Sequence, residues 1–308
     1  MKLAIIGLGD IAQKAHLPVI TQIPGLEVVL CTRDKNTLKK FSKLYRIDQL
    51  YSDYKDLIKA GIDAVMIHSS TISHLQIATF FLQQGIPTFV DKPLADNAFD
   101  CELLYELAAK YQQPLYLGFN RRFIPLYNQY LPTVQNSNEH SSLLSLRWEK
   151  NRFNQPGNIR TFIFDDFIHP LDSINLDAKN NLDDVYLTWQ SQDQQLSRVD
   201  VQWQQQNTLL HASMNRVYGA TKERLSASYK NDAFEFDSFV SGKRWQNNQE
   251  SVIALPDWTP MLTSKGFTGM IDDWLTVVEK GKLAELVVER NLATHQLAEL
   301  ICHKILAE

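Results

Sequence analysis

Lys2-Leu3-Ala4-Ile5-Ile6-Gly7-Leu8-Gly9-Asp10-Ile11-Ala12 decides the reading of this chain. A short β-rich apolar run enters a Gly-x-Gly-x-x-Ala turn, and helical spacing starts directly behind it, over about 11–22. The first glycine permits a tight turn, the second lets a pyrophosphate approach the backbone, and the small Ala12 allows close helix–strand packing. Unpaired N–H groups at the helix start point at the phosphates. Alone, the motif also describes an ordinary tight βα turn; the flanking strand and helix supply the context that a dinucleotide site needs. Gly7, Gly9, Asp10, Ile11 and Ala12 are therefore the expected cofactor loop.

The same alternation continues outward. Leu26–Cys31, Ala64–Ile67, Thr88–Val90 and Leu115–Leu117 read as buried strands, and about 35–45, 72–84 and 97–112 as helices between them. Strand–helix alternation predicts a doubly wound parallel sheet, an α/β Rossmann domain over 1–121. An acidic residue about 20 positions beyond the glycine loop would select the ribose 2′-OH of NAD. That count lands on Thr32, with Arg33 next, a hydroxyl and a guanidinium suited to a 2′-phosphate. NADP(H) is favoured and NAD(H) stays open, since Asp34 is within reach and a solvated loop cation is the alternative reading of Arg33.

Beyond about 122 the texture changes. Leu143–Lys150, Val185–Gln190, Leu196–Gln204, Thr208–Val217, Arg224–Tyr229 and Ala233–Val240 alternate like strands of an open, mainly antiparallel sheet. Helical spacing returns at about 165–177, 267–281 and 289–306. This predicts an α+β substrate and oligomerisation domain over 122–308, whose C-terminal helices are candidates to pack back on the first domain. Gln135–Glu139 and Gln246–Glu250 read as polar loops.

Composition bounds the function. The 308 residues carry 31 Lys+Arg against 35 Asp+Glu, a net charge of −4, with 44% apolar residues. That balance leaves no basic footprint for nucleic acid or anionic membrane. Three scattered cysteines, Cys31, Cys101 and Cys302, offer neither a disulfide framework nor a zinc motif. Asp10 cuts the N-terminal apolar run too early for a secretory signal, and the expectation is a cytoplasmic protein with a small-molecule substrate.

Two constellations carry chemistry. Asp91-Lys92-Pro93 closes the strand Thr88–Val90, at the edge of the sheet where ligands bind. A lysine there, desolvated beside a nicotinamide, can exchange protons near neutral pH; a surface lysine fits the position equally well. In Asp165-Asp166-Phe167-Ile168-His169-Pro170-Leu171-Asp172, helical spacing puts Asp165 and His169 on one face, a carboxylate–imidazole pair for acid/base work. An Asp-rich first helical turn is the bland alternative. A metal site would want further His or Cys ligands, so none is expected. Pro170 fits only the first turn of a helix, which would start that helix near His169.

At this point the chain resembles the Gfo/Idh/MocA oxidoreductases, such as glucose–fructose oxidoreductase and inositol dehydrogenase, and looks most like their bacterial MviM-type branch. The resemblance runs through Gly7–Ala12 with Gln13–Pro18, His68-Ser69-Ser70-Thr71 with His74, Asp91–Ala95, Gly118–Phe123, Asp165–Asp172 and Gly266-Phe267. It implies NAD(P)(H) as cofactor and assigns Lys92 to the family's Glu-Lys-Pro lysine, near the reacting carbon. By the same resemblance His169 is the acid/base, Asp165 its partner and Asp172 structural. Ser69, Ser70, Thr71 and His74 run along the cofactor with Asp91, Asn120 lies near the nicotinamide, and Arg122 borders the substrate. Three departures stand out: Asp91 for Glu, Ser-Ser-Thr for Thr-Pro-Asn, and Phe167 for glycine, which adds bulk beside the substrate.

The function that follows is hydride transfer between nicotinamide and a carbonyl/alcohol of a sugar, polyol or related small molecule. The alternative is a catalytically silent NAD(P)-binding sensor. Lys150 and Arg152 share a strand face, and with Arg122 and Arg216 they suggest an anionic substrate. Solvated surface cations explain the same pattern. A sheet face without helical cover suggests a homodimer or homotetramer through the second domain.

Overall fold

The computed structural model describes residues 1–132, 142–193 and 195–307, so the expected loop Gln135–Glu139 lies outside the described residues. The chain divides into two compact units, Met1–Asn120 with Phe267–Val288, and Arg121–Gly266 with Glu289–Glu308. Among the described residues no helix is long and apolar enough to cross a membrane.

The first unit is built on six parallel strands: β1 (Lys2–Ile6), β2 (Glu27–Cys31), β3 (Leu50–Tyr51), β4 (Ala64–Ile67), β5 (Thr88–Asp91) and β6 (Leu115–Gly118). Their order is β3-β2-β1-β4-β5-β6, the doubly wound arrangement that reverses direction between β1 and β4. Continuous apolar runs such as Ala64-Val65-Met66-Ile67 are buried throughout, as a sheet covered on both faces requires. The helices Lys35–Tyr45, His74–Gln83 and Ala98–Tyr111 follow the spacing read from sequence. The helix behind the glycine loop contains a π-helical stretch, Ala12–His16, which its residue spacing does not signal. From the helix Phe267–Lys280, Trp274 is fully buried against Phe89 and Tyr116, and Tyr116 Oη donates to Asp273 at 2.8 Å.

The second unit holds nine strands: β7 (Leu143–Asn151), β8 (Gly157–Asn158), β9 (Tyr186–Gln192), β10 (Gln195–Gln205), β11 (Thr208–Asn215), β12 (Lys222–Tyr229), β13 (Asp232–Phe236), β14 (Ser241–Gln246) and β15 (Gln249–Ala254). They run β15-β14-β13-β12-β7-β11-β10-β8, with β9 pairing β10. All neighbours are antiparallel except β7 and β11, which pair in parallel with Lys150 beside Met214. The segment Gln246–Glu250, expected as a loop, is instead the tip of a hairpin between β14 and β15. Asn247 and Asn248 take φ values of 51° and 63°, the left-handed pair of a tight two-residue turn that asparagine tolerates.

Helical conformation in the middle of this unit starts at Ile159, well before His169. It passes through a π-helical stretch, Phe162–Phe167, into the α-helix Ile168–Ile174, which packs on β7 and β11. Pro170 does not open the run. It withholds an N–H from the carbonyl of Asp166 four residues back, and Lys150 Nζ takes that oxygen at 3.1 Å. Phe167 is wholly buried, so its bulk goes into the core of this unit.

Asp172 anchors the same helix. Its side chain is 1% exposed and receives Arg122 Nε at 2.9 Å and Nη2 at 2.5 Å, with Thr294 Oγ1 at 3.3 Å. Arg290 donates to the Asp172 carbonyl at 2.5 Å, and Arg122 Nη2 also reaches Asn291 Oδ1 at 2.7 Å. Burial pushes the Asp172 carboxyl up, but Arg122 and then Arg290 outweigh it and hold it below the usual carboxylate range. A carboxylate depressed in the native state contributes stability that is complete above its unfolded value, about 3.9, and lost as pH falls through the native value. Asp172→Asn, which leaves two partly buried guanidinium groups facing a neutral amide, is expected to cost about 3 kcal/mol in urea unfolding near neutral pH. The variant should also lose part of the wild type's decline in stability below about pH 4.

Candidate active site

The carboxyl edge of the parallel sheet gathers the loops after β1, β4 and β5. His68 N donates to Ile6 O at 2.7 Å and Gly7 N to Cys31 O at 2.9 Å, tying the glycine loop to both neighbouring strands. Gly7 has φ +82°, and a Cβ there would lie 2.6 Å from Ser69 N, so only glycine fits. A Cβ at Gly9 would meet nothing within 4 Å, which leaves its backbone open to an approaching phosphate. Ala12 is fully buried behind it, while Asp10 and Ile11 face solvent, Asp10 pairing with Lys14 at 2.7 Å. The residues present fit a bound dinucleotide.

The end of β2 bears on the choice of dinucleotide. Asp34 caps the helix Lys35–Tyr45, accepting from Asn36 N at 2.9 Å and Thr37 Oγ1 at 2.6 Å. These bonds hold its carboxyl below the usual range and commit it away from a ribose. Arg33 is exposed and makes no ion pair among the described residues; Thr32 beside it is half-buried.

Around the other loops, Ser69 Oγ meets Ser73 Oγ at 2.7 Å, and Thr71 opens a short helical turn behind exposed Ser70. His74, 1% exposed, spans two loops: Nε2 lies 3.0 Å from Ser69 O and Nδ1 3.0 Å from Pro93 O. Burial lowers its pKa, against the pull of those carbonyls and of Asp91. It therefore braces the site as well as flanking it. Asn120 is buried at the end of this unit and Lys92 is half-buried.

Asp91 belongs to a cluster that the sequence reading overlooked. His16, His68 and Asp91 are all buried, with one ligand-type atom from each within 4.8 Å of the others. The two imidazole rings lie 4.0 Å apart, and His68 Nδ1 is 3.7 Å from Asp91 Oδ2. Neither ring makes a hydrogen bond to a described residue. Burial drives His16 well below its usual pKa and keeps it neutral. Burial pushes the Asp91 carboxyl up, yet His68, His16 and Lys92 outweigh that and bring it to about 2. Asp91 Oδ1 accepts the N–H of Lys92 at 2.9 Å, so this carboxylate orients the first residue beyond the strand. The signal available in sequence was one histidine in the helix behind the glycine loop, His16, and one just after β4, His68, too far apart to read as a pair.

In the second unit the segment Asp165–Asp172 divides its acids. Asp165 is exposed, whereas His169 is 5% exposed, and the π-helical stretch between Phe162 and Phe167 shifts the simple same-face geometry. The neighbouring Asp166 gathers three cations. Lys150 Nζ reaches its Oδ1, Arg152 its two oxygens at 3.2 Å each, and Arg216 Nη2 its Oδ2 at 3.1 Å. Burial raises the Asp166 carboxyl, but Lys150 and Arg152 carry it far below the usual range. Lys150 is 2% exposed, and burial brings its ammonium down to about 7 although Asp166 and Glu223 favour the charged form. Arg122 does not join this group; its guanidinium is taken up by Asp172 and Asn291.

Comparison with known proteins agrees with this architecture. Residues 1–119 match the family model described as an oxidoreductase family with an NAD-binding Rossmann fold. A crystal structure of a Gfo/Idh/MocA family oxidoreductase from Vibrio cholerae is 58% identical, covers 100% of this chain and 98% of its own, and superposes with a TM-score of 0.98. The MviM dehydrogenase of Clostridium difficile is 27% identical over 99% of both chains, with a TM-score of 0.89. YceM of Salmonella typhimurium, provisionally named an oxidoreductase, is 28% identical over 100% of this chain and 99% of its own length. By these full-length likenesses and its NAD-binding fold, the chain belongs to the Gfo/Idh/MocA family of oxidoreductases.

Proposed function

We propose that this protein is an NADP(H)-preferring oxidoreductase that exchanges hydride with a carbonyl/alcohol pair of a sugar, polyol or related small molecule. The observation that carries the reading is the carboxyl edge of the parallel sheet, where Gly7, Ser69 and Asp91–Lys92 converge and the Gly9 backbone stands open. The capped Asp34 beside exposed Arg33 supports NADP(H) over NAD(H). When bound, the nicotinamide supplies the hydride acceptor or donor. Gly7, Gly9 and the start of the following helix hold the pyrophosphate, and Thr32 with Arg33 takes the 2′-phosphate. Lys92 polarises the substrate oxygen from a position set by Asp91, and His169 carries the hydroxyl proton.

Titration of nicotinamide fluorescence tests the cofactor half. NADPH is expected to bind more tightly than NADH, and Arg33→Ala to weaken NADPH by about ten-fold or more while leaving NADH unchanged. Gly7→Ala, which would force a methyl to 2.6 Å from Ser69 N, should remove both. Failure of both dinucleotides to bind the wild type would end the oxidoreductase reading.

Turnover of a sugar and polyol panel, followed at the nicotinamide absorbance, tests the chemistry. Lys92→Ala is expected to lower the rate by about 10²–10³-fold with cofactor affinity near wild type. A variant that keeps its turnover would remove Lys92 from this role, and tight binding without turnover on any substrate would leave a sensor. Self-association through the sheet of the second unit is part of the proposal. Sedimentation as a monomer at micromolar concentration would remove that part.

A further inference from the structure

The polar core of the second unit is unbalanced in charge. Arg121 pairs with Glu223, with Nη2 2.9 Å from Oε2 and Trp148 Nε1 donating to the same carboxylate at 3.1 Å, and Glu223 also favours the charged forms of Lys150 and Arg152. Beside them Lys150, Arg152 and Arg216 share the single carboxylate of Asp166. Both Asp166 oxygens are already occupied, so added donors there have no remaining acceptor. Arg152 uses Nε and Nη2 on Asp166 and keeps 29% of its side chain exposed. Arg216 lies over the Phe162 ring at 4.5 Å, and its Nε is buried with no partner among the described residues. Leaving donors and cationic charge uncompensated at this depth is costly, and an anion placed against the cluster would relieve it.

Chain topology gathers the cluster at the ends of two neighbouring strands. Lys150 is the penultimate residue of β7, Arg152 lies just past its end, and Arg216 lies just past the end of parallel β11. All three meet Asp166, which stands between Asp165 and His169 in sequence. We infer that Lys150, Arg152 and Arg216 form an anion subsite, and that the substrate carries a carboxylate or phosphate monoester near its reacting carbon. This inference rests on the proposed oxidoreductase function and narrows its substrate class to sugar acids or sugar phosphates. A forked guanidinium at the open side and an ammonium at the closed side suit either group. The depressed pKa of Lys150 fits the same arrangement. Burial and the cations Arg152 and Arg121 oppose its protonation, Asp166 and Glu223 favour it, and an arriving anion tips that balance toward the ammonium.

Calorimetric titration of the full-length protein with inorganic phosphate, D-glucuronate and neutral D-glucose, with and without saturating NADPH, tests the subsite. At least one anion should bind saturably and glucose should not compete with it. Above neutral pH, binding should take up as much as about one proton, read from the heats in buffers of different ionisation enthalpy. Tighter phosphate identifies a phosphate ester, and tighter glucuronate a sugar acid. Arg152→Met should weaken the anion ten-fold or more, Arg152→Lys should retain part of the affinity, and Lys59→Met, at the exposed Asp56 pair of the first unit, should change nothing. The inference falls if neither anion binds saturably to the wild type. It falls equally if Arg152→Met and Arg152→Lys, both folded by circular dichroism, bind like wild type. Loss of NADPH binding in the same preparation would instead sink the oxidoreductase function, because the anion titration without NADPH reads separately.

Discussion

The approach of Gly7 to the backbone of His68 and Ser69 is the constraint on which the first unit's site depends. β1 lies between β2 and β4, so the loops that leave β1 and β4 diverge from adjacent strands at one edge. A Cβ on Gly7 would sit 2.6 Å from Ser69 N and 2.7 Å from the His68 carbonyl carbon. Any side chain would have to push those loops apart, breaking the 2.7 Å bond from His68 N to Ile6 O. The closeness also brings His68 under the glycine loop, against His16 and Asp91. The phosphate cradle and the carboxylate that orients Lys92 are thus parts of one packed arrangement.

The second unit is organised by two acids on one continuous helical run, and their surroundings differ in kind. Asp172 is sealed: its partners Arg122 and Arg290 also find neutral acceptors, in Asn291 Oδ1 and the Asp172 carbonyl. Asp166 lies on the other side of Pro170, among three cations, one of them still partly open to solvent. The proline contributes to both environments. It withholds an N–H from the Asp166 carbonyl, which draws Lys150 inward, and it allows the α-helical turn that buries Asp172. One cluster therefore has the character of an anchor and the other that of a receptor.

Much of the first unit was legible from residue order. Strand and helix positions there depend on local periodicity and on turn chemistry at Gly7, and both are written in adjacent residues. In the second unit the long alternating strands were readable, but the Asn247-Asn248 turn and the two strands it joins were not. Segments such as Gln246–Glu250 look like solvated loop until the positive φ of both asparagines is known. The site followed the same division. Gly7, Lys92 and the Asp165–His169 segment were found by motif, while His16 with His68, and Asp166 with Arg216, join residues about 50 positions apart.

By itself, the sequence determined the strand–helix alternation of the first unit, the glycine loop that a dinucleotide needs, and the presence of Lys92 and His169 at motif positions. These depend on neighbours within a few residues, where spacing translates directly into geometry. Tertiary structure alone decided which acid receives which cation. It gave Arg122 to Asp172, gathered Lys150, Arg152 and Arg216 on Asp166, and turned Asp34 into a helix cap. The physical reason is that a buried ion pair is settled by desolvation and by the strands and helices meeting at that point. Side chains of identical type compete for it, and only the packed chain removes the losers from reach.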